Sequence, residues 1–516
     1  MTGARALVAT LVACGVDTCF ANPGTSEMHA VAALDAVDGL RPILALSEGV
    51  VTGAADGYGR LAGRPAAALL HLGPGLANGI ANLHNARRAH TPIVAVVGDH
   101  AVAHKRLDAP LESDIDSLAW TVSRWVRRSW RPADVGRDTA AAVAAARRPP
   151  GGVATLVLPA DVSWSPGGGT GSPEPVPDPA PPGEDAVDGA VAALRSGEPV
   201  AILVGGPVVA DPAAQEAAAA IAAATGATLL CETFPPRLAR GAGRPRLARL
   251  AYLAEAAARQ LDGHRHLLLA GARRPVAFFA YPHLPGDLVP PGCAVHELAG
   301  PGVDGAAALR EVAARLGAAP AGPVAAPARP QPPTGPLDAA ILAAAIGATL
   351  PEAAVVVDEA ITAGAGLGAA LAGAPPHDLL TLTGGSIGFG LPCATGAAVA
   401  ASARPVVCLE ADGSAMYTLP ALWTQAREGL DVTTVLVDNR SYAILALELD
   451  RVEAGSPGPR AASLLDLSRP ALDFVALAEG MGVPASRATT GEELTDQLQR
   501  AFAQPGPHLI DAALAP

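Results

Sequence analysis

The chain is nearly devoid of lysine. Lys105 is the only one, and every other basic residue is arginine. Schiff-base chemistry, pyridoxal phosphate included, would have to rest on that amine. Lys105 stands in His104-Lys105-Arg106, a polar run that reads as a solvated loop. Cysteine is also sparse. The six thiols (14, 19, 231, 293, 393 and 408) form no tight metal pattern, and Cys14 and Cys19 are too far apart for a CxxC redox pair. Reduced, structural thiols in a cytoplasmic protein are the expectation. No apolar run of membrane length is free of glycine, proline or charge, so no membrane span is expected. The start, Met1-Thr2-Gly3-Ala4-Arg5, opens an amphipathic helix rather than a signal peptide. A net charge of −13 speaks against nonspecific nucleic-acid binding.

What is present is alternation. At 516 residues the chain has room for about three domains. Residues 1–163 alternate helical and strand patterns, with strands expected near Val16–Ala21, Ile43–Leu46, Ala67–His71, Ile93–Val97 and Ala154–Leu158. A Pro/Gly-rich linker, 164–185, follows. A central unit, 186–318, has strands near Val200–Val204, Thr228–Cys231, His266–Leu269 and Cys293–Glu297. A second seam, 319–336, precedes a unit over 337–516 with strands near Ala354–Val357, Val406–Leu409, Val432–Val437 and His508–Ile510. Strands followed by helices throughout predict an α/β protein of three doubly wound parallel sheets.

The most informative stretch is Glu410-Ala411-Asp412-Gly413-Ser414, answered by Val437-Asp438-Asn439-Arg440-Ser441. Each follows a short apolar strand, and a helix separates them. Parallel strands joined this way bring both turns to one sheet edge. An Asp, an Asn oxygen and a backbone carbonyl make an oxygen-only site suited to Mg²⁺, which keeps water and phosphate oxygens as its other ligands. Gly413 allows close backbone approach to a phosphate, and the helix start after it offers free N–H groups. An ordinary Asp-Gly turn in a βαβ unit would look the same.

Glu48 begins an Ala/Gly-rich helix in Ser47-Glu48-Gly49-Val50-Val51-Thr52-Gly53-Ala54-Ala55-Asp56-Gly57-Tyr58. It reads either as a protonatable carboxylate in an apolar setting or as a charge complementing the helix dipole. In order along the chain stand Asn22-Pro23-Gly24-Thr25, the Glu48 segment, His71-Leu72-Gly73-Pro74-Gly75, Gly384-Gly385-Ser386-Ile387-Gly388-Phe389-Gly390-Leu391-Pro392 and Ala411-Asp412-Gly413-Ser414…Asp438-Asn439. This series resembles the pyruvate-oxidase-like thiamine diphosphate (ThDP) enzymes, a superfamily that includes benzoylformate decarboxylase, acetolactate synthase and pyruvate decarboxylase. The resemblance spans the whole chain as a pyrimidine-binding, a central and a diphosphate-binding domain.

The resemblance implies a role for each matching residue. Glu48 is the glutamate that activates the cofactor by hydrogen bonding its aminopyrimidine. Asp412, Asn439 and the Ser441 carbonyl hold Mg²⁺. Gly413 and Ser414 meet the diphosphate, and Glu359 belongs to another loop on that side. The Gly385 carbonyl accepts from the aminopyrimidine. Ile387 is the wedge that bends the cofactor, although a plain core residue would look identical. His71 matches a proton-relaying histidine, with a satisfied structural histidine as the alternative. Thr25 matches a position that contacts the substrate carboxylate. The segment Tyr442–Glu448 lines the substrate pocket, with Leu445 and Glu448 facing it, unless Glu448 is merely an exposed helical charge. Ala411 and Asp438 replace a Gly and an Asn of the usual pattern, and no histidine appears in 275–281, where benzoylformate decarboxylase has its second one. The implied function is a ThDP- and Mg²⁺-dependent 2-oxo acid decarboxylase or carboligase, working through a C2 ylid and an enamine, with an aldehyde or keto acid as a further acceptor. The implied assembly is a homodimer or homotetramer with active sites between subunits. The strand-end turns Val204-Gly205-Gly206-Pro207 and Ala270-Gly271-Ala272-Arg273 are too weak a signal for a dinucleotide, so bound FAD is not expected. A ThDP-fold protein that binds without catalysis is the competing reading.

Overall fold

A computed structural model describes residues 1–319 and 324–515. Three sheets form, each from apolar runs too short to be helices and covered on both faces. The first contains β1 (Thr18–Asn22), β2 (Arg41–Leu44), β3 (Ala66–Leu70), β4 (Ile93–Asp99), β5 (Trp125–Arg128) and β6 (Val153–Pro159), in the order β2-β1-β3-β4-β6-β5 and parallel throughout. Every residue of β4 and β6 is buried, which is why both read as continuous hydrophobic runs. The central segment supplies β7 (Val200–Val204), β8 (Thr228–Cys231), β9 (Leu238–Arg240), β10 (Ala248–Arg249), β11 (His266–Ala270) and β12 (Ala294–Ala299). Five of these form the sheet β10-β8-β7-β11-β12. The third sheet contains β13 (Val355–Glu359), β14 (His377–Thr381), β15 (Val406–Ala411), β16 (Val432–Asp438), β17 (Ala485–Ala488) and β18 (His508–Ala513). Its order is β17-β18-β16-β15-β13-β14-β9.

The last neighbour in that order departs from an all-parallel expectation. β9 leaves the central segment and pairs antiparallel with β14, Ala239 opposite Asp378. Arg237 fixes the crossing by donating to both oxygens of Asp378, at 2.8 and 3.2 Å. The segment 165–183 contains neither helix nor strand, and bridge pairings of Pro166 with Thr2 and of Ala180 with Val303 tack it down. Of the Pro-rich seam at 319–336, residues 320–323 lie outside the described residues. Among the described residues no helix is long and apolar enough to cross a membrane.

One hydrophobic core joins the first and third sheets, with Phe20, Tyr58 and Val97 contributed from one side and Val357, Phe389 and Leu436 from the other. At its centre the helix Glu48–Ala62 crosses the helix Gly390–Ala400. The approach is backbone to backbone. A methyl on Gly57 would overlap the Cys393 carbonyl, and one on Gly396 would overlap the Ala54 carbonyl. This accounts for the small-residue composition of both helices. Arg60 crosses the same boundary from within its buried pair with Asp56, donating to the Thr381 carbonyl at 2.7 Å. A buried pair satisfied this fully specifies one relative placement of the two elements.

Candidate active site

The strand ends of the third sheet build a carboxylate site. Asp412 follows β15, opens the short helix Asp412–Thr418 and is 2 % exposed. Its oxygens accept from Gly413 N at 2.7 Å and Arg440 N at 2.6 Å. Among the described residues no basic side chain pairs with it, and burial pushes its pKa up to about 6. A carboxylate desolvated in this way and lacking a counter-charge suits a cation. Asn439 lies across the edge with its Oδ1 accepting from Ser441 N at 2.9 Å, and the Ser441 hydroxyl donates to the Leu465 carbonyl at 3.2 Å. Among the described residues no cluster of three or more His, Cys, Asp or Glu forms a metal cage. The donor set is one carboxylate with amide and carbonyl oxygens, as fits a hard cation completed by phosphate and water.

Both departures from the usual motif have local explanations. Ala411 sits at φ −80°, ψ 148°, where its methyl costs nothing. Asp438 turns away from the edge and pairs with Arg487 at 3.3 Å and Arg440 at 3.8 Å. Gly413 is required, because a methyl there would overlap the Tyr442 ring. Ser414, one residue on, is 3 % exposed.

Beside this edge runs the glycine loop 384–390. Gly385 adopts φ +74°, and a methyl there would stand 2.7 Å from the Phe278 ring. Ile387 packs partly buried against the shared core. Glu359, at the end of β13, turns inward. It is 1 % exposed, and its carboxylate accepts from Gly388, Phe389 and Gly390 N at 2.9, 2.8 and 2.5 Å. Both of its oxygens are consumed holding the loop and the start of the helix after it. Glu410 stands opposite in the β13–β15 register. Burial and the facing Glu359 push the Glu410 pKa well up.

Across the core, Glu48 opens its helix, with Ser47 as cap. It is half-buried, and Asn78 Nδ2 donates to its Oε2 at 3.2 Å. Asn82 donates to the carbonyls of both Gly49 (2.9 Å) and Gly388 (3.1 Å). Asn85 donates to the Ser386 carbonyl at 2.8 Å and accepts from Ser386 N at 3.2 Å. Asn82 thus ties the start of the Glu48 helix, at Gly49, to the glycine loop of the same chain through backbone carbonyls. The spacing Asn78, Asn82, Asn85 places all three on one face of the helix Leu72–Ala89, and that polar stripe is the signal by which sequence reasoning could have found them. His71 ends β3 and caps that helix, with Nδ1 2.7 Å from Glu27 Oε2. Thr25 is exposed at the start of the turn Thr25–Glu27.

The helix Ala443–Arg451 follows the metal-side turn. Leu445 is exposed on it. Glu448 is not the free surface charge that one reading expects. It is 14 % exposed, accepts from the Tyr252 hydroxyl at 3.3 Å and lies 3.6 Å from Arg451. Arg451 in turn donates to both oxygens of Glu255, at 3.0 and 2.9 Å. An aromatic cluster from the central segment, Phe234, Tyr252, Phe278 and Phe279, stands against this helix with neighbouring ring centroids 5.3–6.1 Å apart. Phe278 therefore occupies the region without histidine. His283, the next candidate, is 83 % exposed and 3.6 Å from Glu453.

Comparison with known proteins agrees with this geometry. Residues 1–120 match the N-terminal TPP binding domain of thiamine pyrophosphate enzymes, and residues 366–512 match the C-terminal one. A Mycobacterium tuberculosis protein named "Putative acetolactate synthase large subunit IlvX" is 61 % identical over 100 % of this chain and 99 % of its own length. Benzoylformate decarboxylase of Pseudomonas aeruginosa is 31 % identical over 96 % of each chain. The solved structure of a thiamine diphosphate-dependent 4-hydroxybenzoylformate decarboxylase from Rhodococcus jostii superposes with a TM-score of 0.85 at 25 % identity, covering 100 % of this chain and 99 % of that one. Sequence and fold agree that this chain belongs to the thiamine diphosphate-dependent enzymes, of the acetolactate synthase and benzoylformate decarboxylase type.

Proposed function

We propose that the protein decarboxylates a small 2-oxo acid with thiamine diphosphate and Mg²⁺, releasing an aldehyde or joining the acyl unit to an aldehyde or keto acceptor. The observation that carries the reading is Asp412, a buried carboxylate at a strand-to-helix turn with no basic partner among the described residues. Bound thiamine diphosphate supplies the electron sink that lets a 2-oxo acid lose CO₂. Asp412, Asn439 and the Ser441 carbonyl hold the metal, while Gly413, Ser414 and the N–H groups of the helix start hold the diphosphate. Glu359 acts only indirectly, by keeping Gly388–Gly390 in place. The Gly385 carbonyl and Ile387 orient the aminopyrimidine, and Glu48 exchanges a proton with it. His71 moves protons at the substrate carbon, and Thr25 holds the substrate carboxylate. Leu445 and Glu448 bound the pocket, with Glu448 aimed by Tyr252 and Arg451.

A second copy of the chain covers the rim where Leu46, Met416 and Tyr417 stand exposed near Glu48, giving a homodimer or a dimer of dimers. The test is CO₂ release from a panel of 2-oxo acids, with ThDP and Mg²⁺, in the presence and absence of aldehyde acceptors, with products identified. Cofactor-dependent CO₂ release from one class of acid is expected. Tight ThDP binding with no CO₂ from any member would overturn the reaction assigned here.

A further inference from the structure

A second carboxylate stands behind His71. Glu27 closes the turn after β1, and His71 ends β3, the neighbouring strand in the first sheet. Glu27 is 2 % exposed, yet no basic side chain other than His71 pairs with it among the described residues. Its Oε2 lies 2.7 Å from His71 Nδ1 and accepts from Gly24 N at 2.8 Å. Its Oε1 accepts from the Ser26 hydroxyl, whose oxygen is 3.3 Å from the same Nδ1.

Two glycines make room for the contact. A methyl on Gly24 would overlap the His71 ring, and one on Gly98 would overlap the Glu27 carboxylate. Ring and carboxylate therefore each pack directly against glycine backbone. A third glycine sets the other side. A methyl on Gly75 would be 3.1 Å from Glu48 Oε1 and 3.3 Å from His71 Cβ, so His71 and Glu48 flank one backbone position. His71 Nε2 has no hydrogen-bond partner among the described residues, and the side chain is 23 % exposed. His71 spends Nδ1 on a buried carboxylate and leaves Nε2 without a protein partner among the described residues.

We propose that Glu27 is a positioning residue that holds the His71 proton on Nδ1, so that Nε2 is the nitrogen available to exchange protons with substrate. The physical reason is that an ionised carboxylate can only accept, so the ring nitrogen facing it must donate. When Nε2 takes up a proton, the nearby carboxylate also stabilises the resulting imidazolium. The inference rests on the role assigned above to His71 and adds the residue that sets its tautomer.

The test combines a double-mutant cycle with nitrogen NMR. Glu27→Gln keeps an acceptor toward Gly24, presents an amide NH₂ to the Ser26 oxygen in place of the second carboxylate oxygen, and removes the charge. It should lower kcat about 100-fold, shift the acid limb of the pH profile and leave ThDP affinity unchanged. In a His71→Ala background, adding Glu27→Gln should change nothing further. Multiplicative losses in the double variant, or full turnover in either single variant, overturn the proposal. Independently of turnover, ¹⁵N spectra of histidine-labelled protein, with the His71 signal identified by its absence in His71→Ala, should show the proton on Nδ1. Finding it on Nε2 in the unmutated protein overturns the tautomer assignment. A wild-type protein that releases no CO₂ from any 2-oxo acid defeats the reaction proposed above instead, and the spectrum then decides this inference by itself.

Discussion

At the scale of single residues, the account depends on Asp412. Desolvation raises its pKa, and among the described residues no basic side chain pairs with it. Replacing Asp412 with Ala should weaken Mg²⁺-dependent ThDP binding at least about 100-fold, near 2.7 kcal/mol, while the fold persists; calorimetric titration showing wild-type affinity would remove Asp412 from the metal site. Asp412, Asn439 and Glu48 are legible in the sequence because each lies in a local motif whose spacing has a physical meaning. The harmlessness of Ala411 is not legible, since it depends on a φ of −80° that the residue type does not dictate. The inward turn of Glu359 is hidden for a related reason. Its three amide donors lie about thirty residues downstream, and only the tertiary fold brings them together.

At the scale of elements, packing between two helices sets the separation of Glu48 from the glycine loop. Gly396→Ala should push a methyl into the Ala54 carbonyl and separate the helices. Overpacking of this kind costs about 1–3 kcal/mol, so denaturant melts should show a loss of that order, with ThDP affinity falling as well. Asn85→Ala tests the clamp more gently. It leaves the half-buried Ser386 N–H and carbonyl without their side-chain partner, and about 1 kcal/mol of stability should disappear without change in overall secondary structure by circular dichroism. Strands such as β4, β6 and β16, buried along their whole length, stand out in the sequence. β5 (Trp-Val-Arg-Arg), β14 (beginning His-Asp) and β17 (Ala-Ser-Arg-Ala) do not, because their polar content masks the apolar run. β9 is hidden for a different reason. Three residues crossing from the central segment to pair with the third sheet leave no periodic signature.

At the scale of the whole molecule, His377 makes stability depend on pH. It is 4 % exposed on β14, with Nδ1 on the Pro375 carbonyl at 2.8 Å and Nε2 buried without a partner. Burial pushes its pKa down to about 4. The unfolded chain takes up this proton near pH 6.5, whereas the folded chain resists until about pH 4. The contribution to stability is therefore complete above pH 6.5 and is lost as pH falls toward 4. Between pH 7 and pH 5 the wild-type protein should lose about 2 kcal/mol more than a His377→Asn variant, which keeps a donor near Nδ1; parallel denaturation curves at both pH values would contradict this. The central claim is that Glu48 and the Asp412 turn form the two halves of one ThDP site that decarboxylates 2-oxo acids. The most direct measurement is CO₂ release from the best 2-oxo acid of a panel, at saturating ThDP and Mg²⁺, by wild-type protein and by Glu48→Gln. The account predicts turnover that requires both cofactors and falls at least about 100-fold in the variant, with ThDP still bound. Equal rates in the two proteins would contradict it.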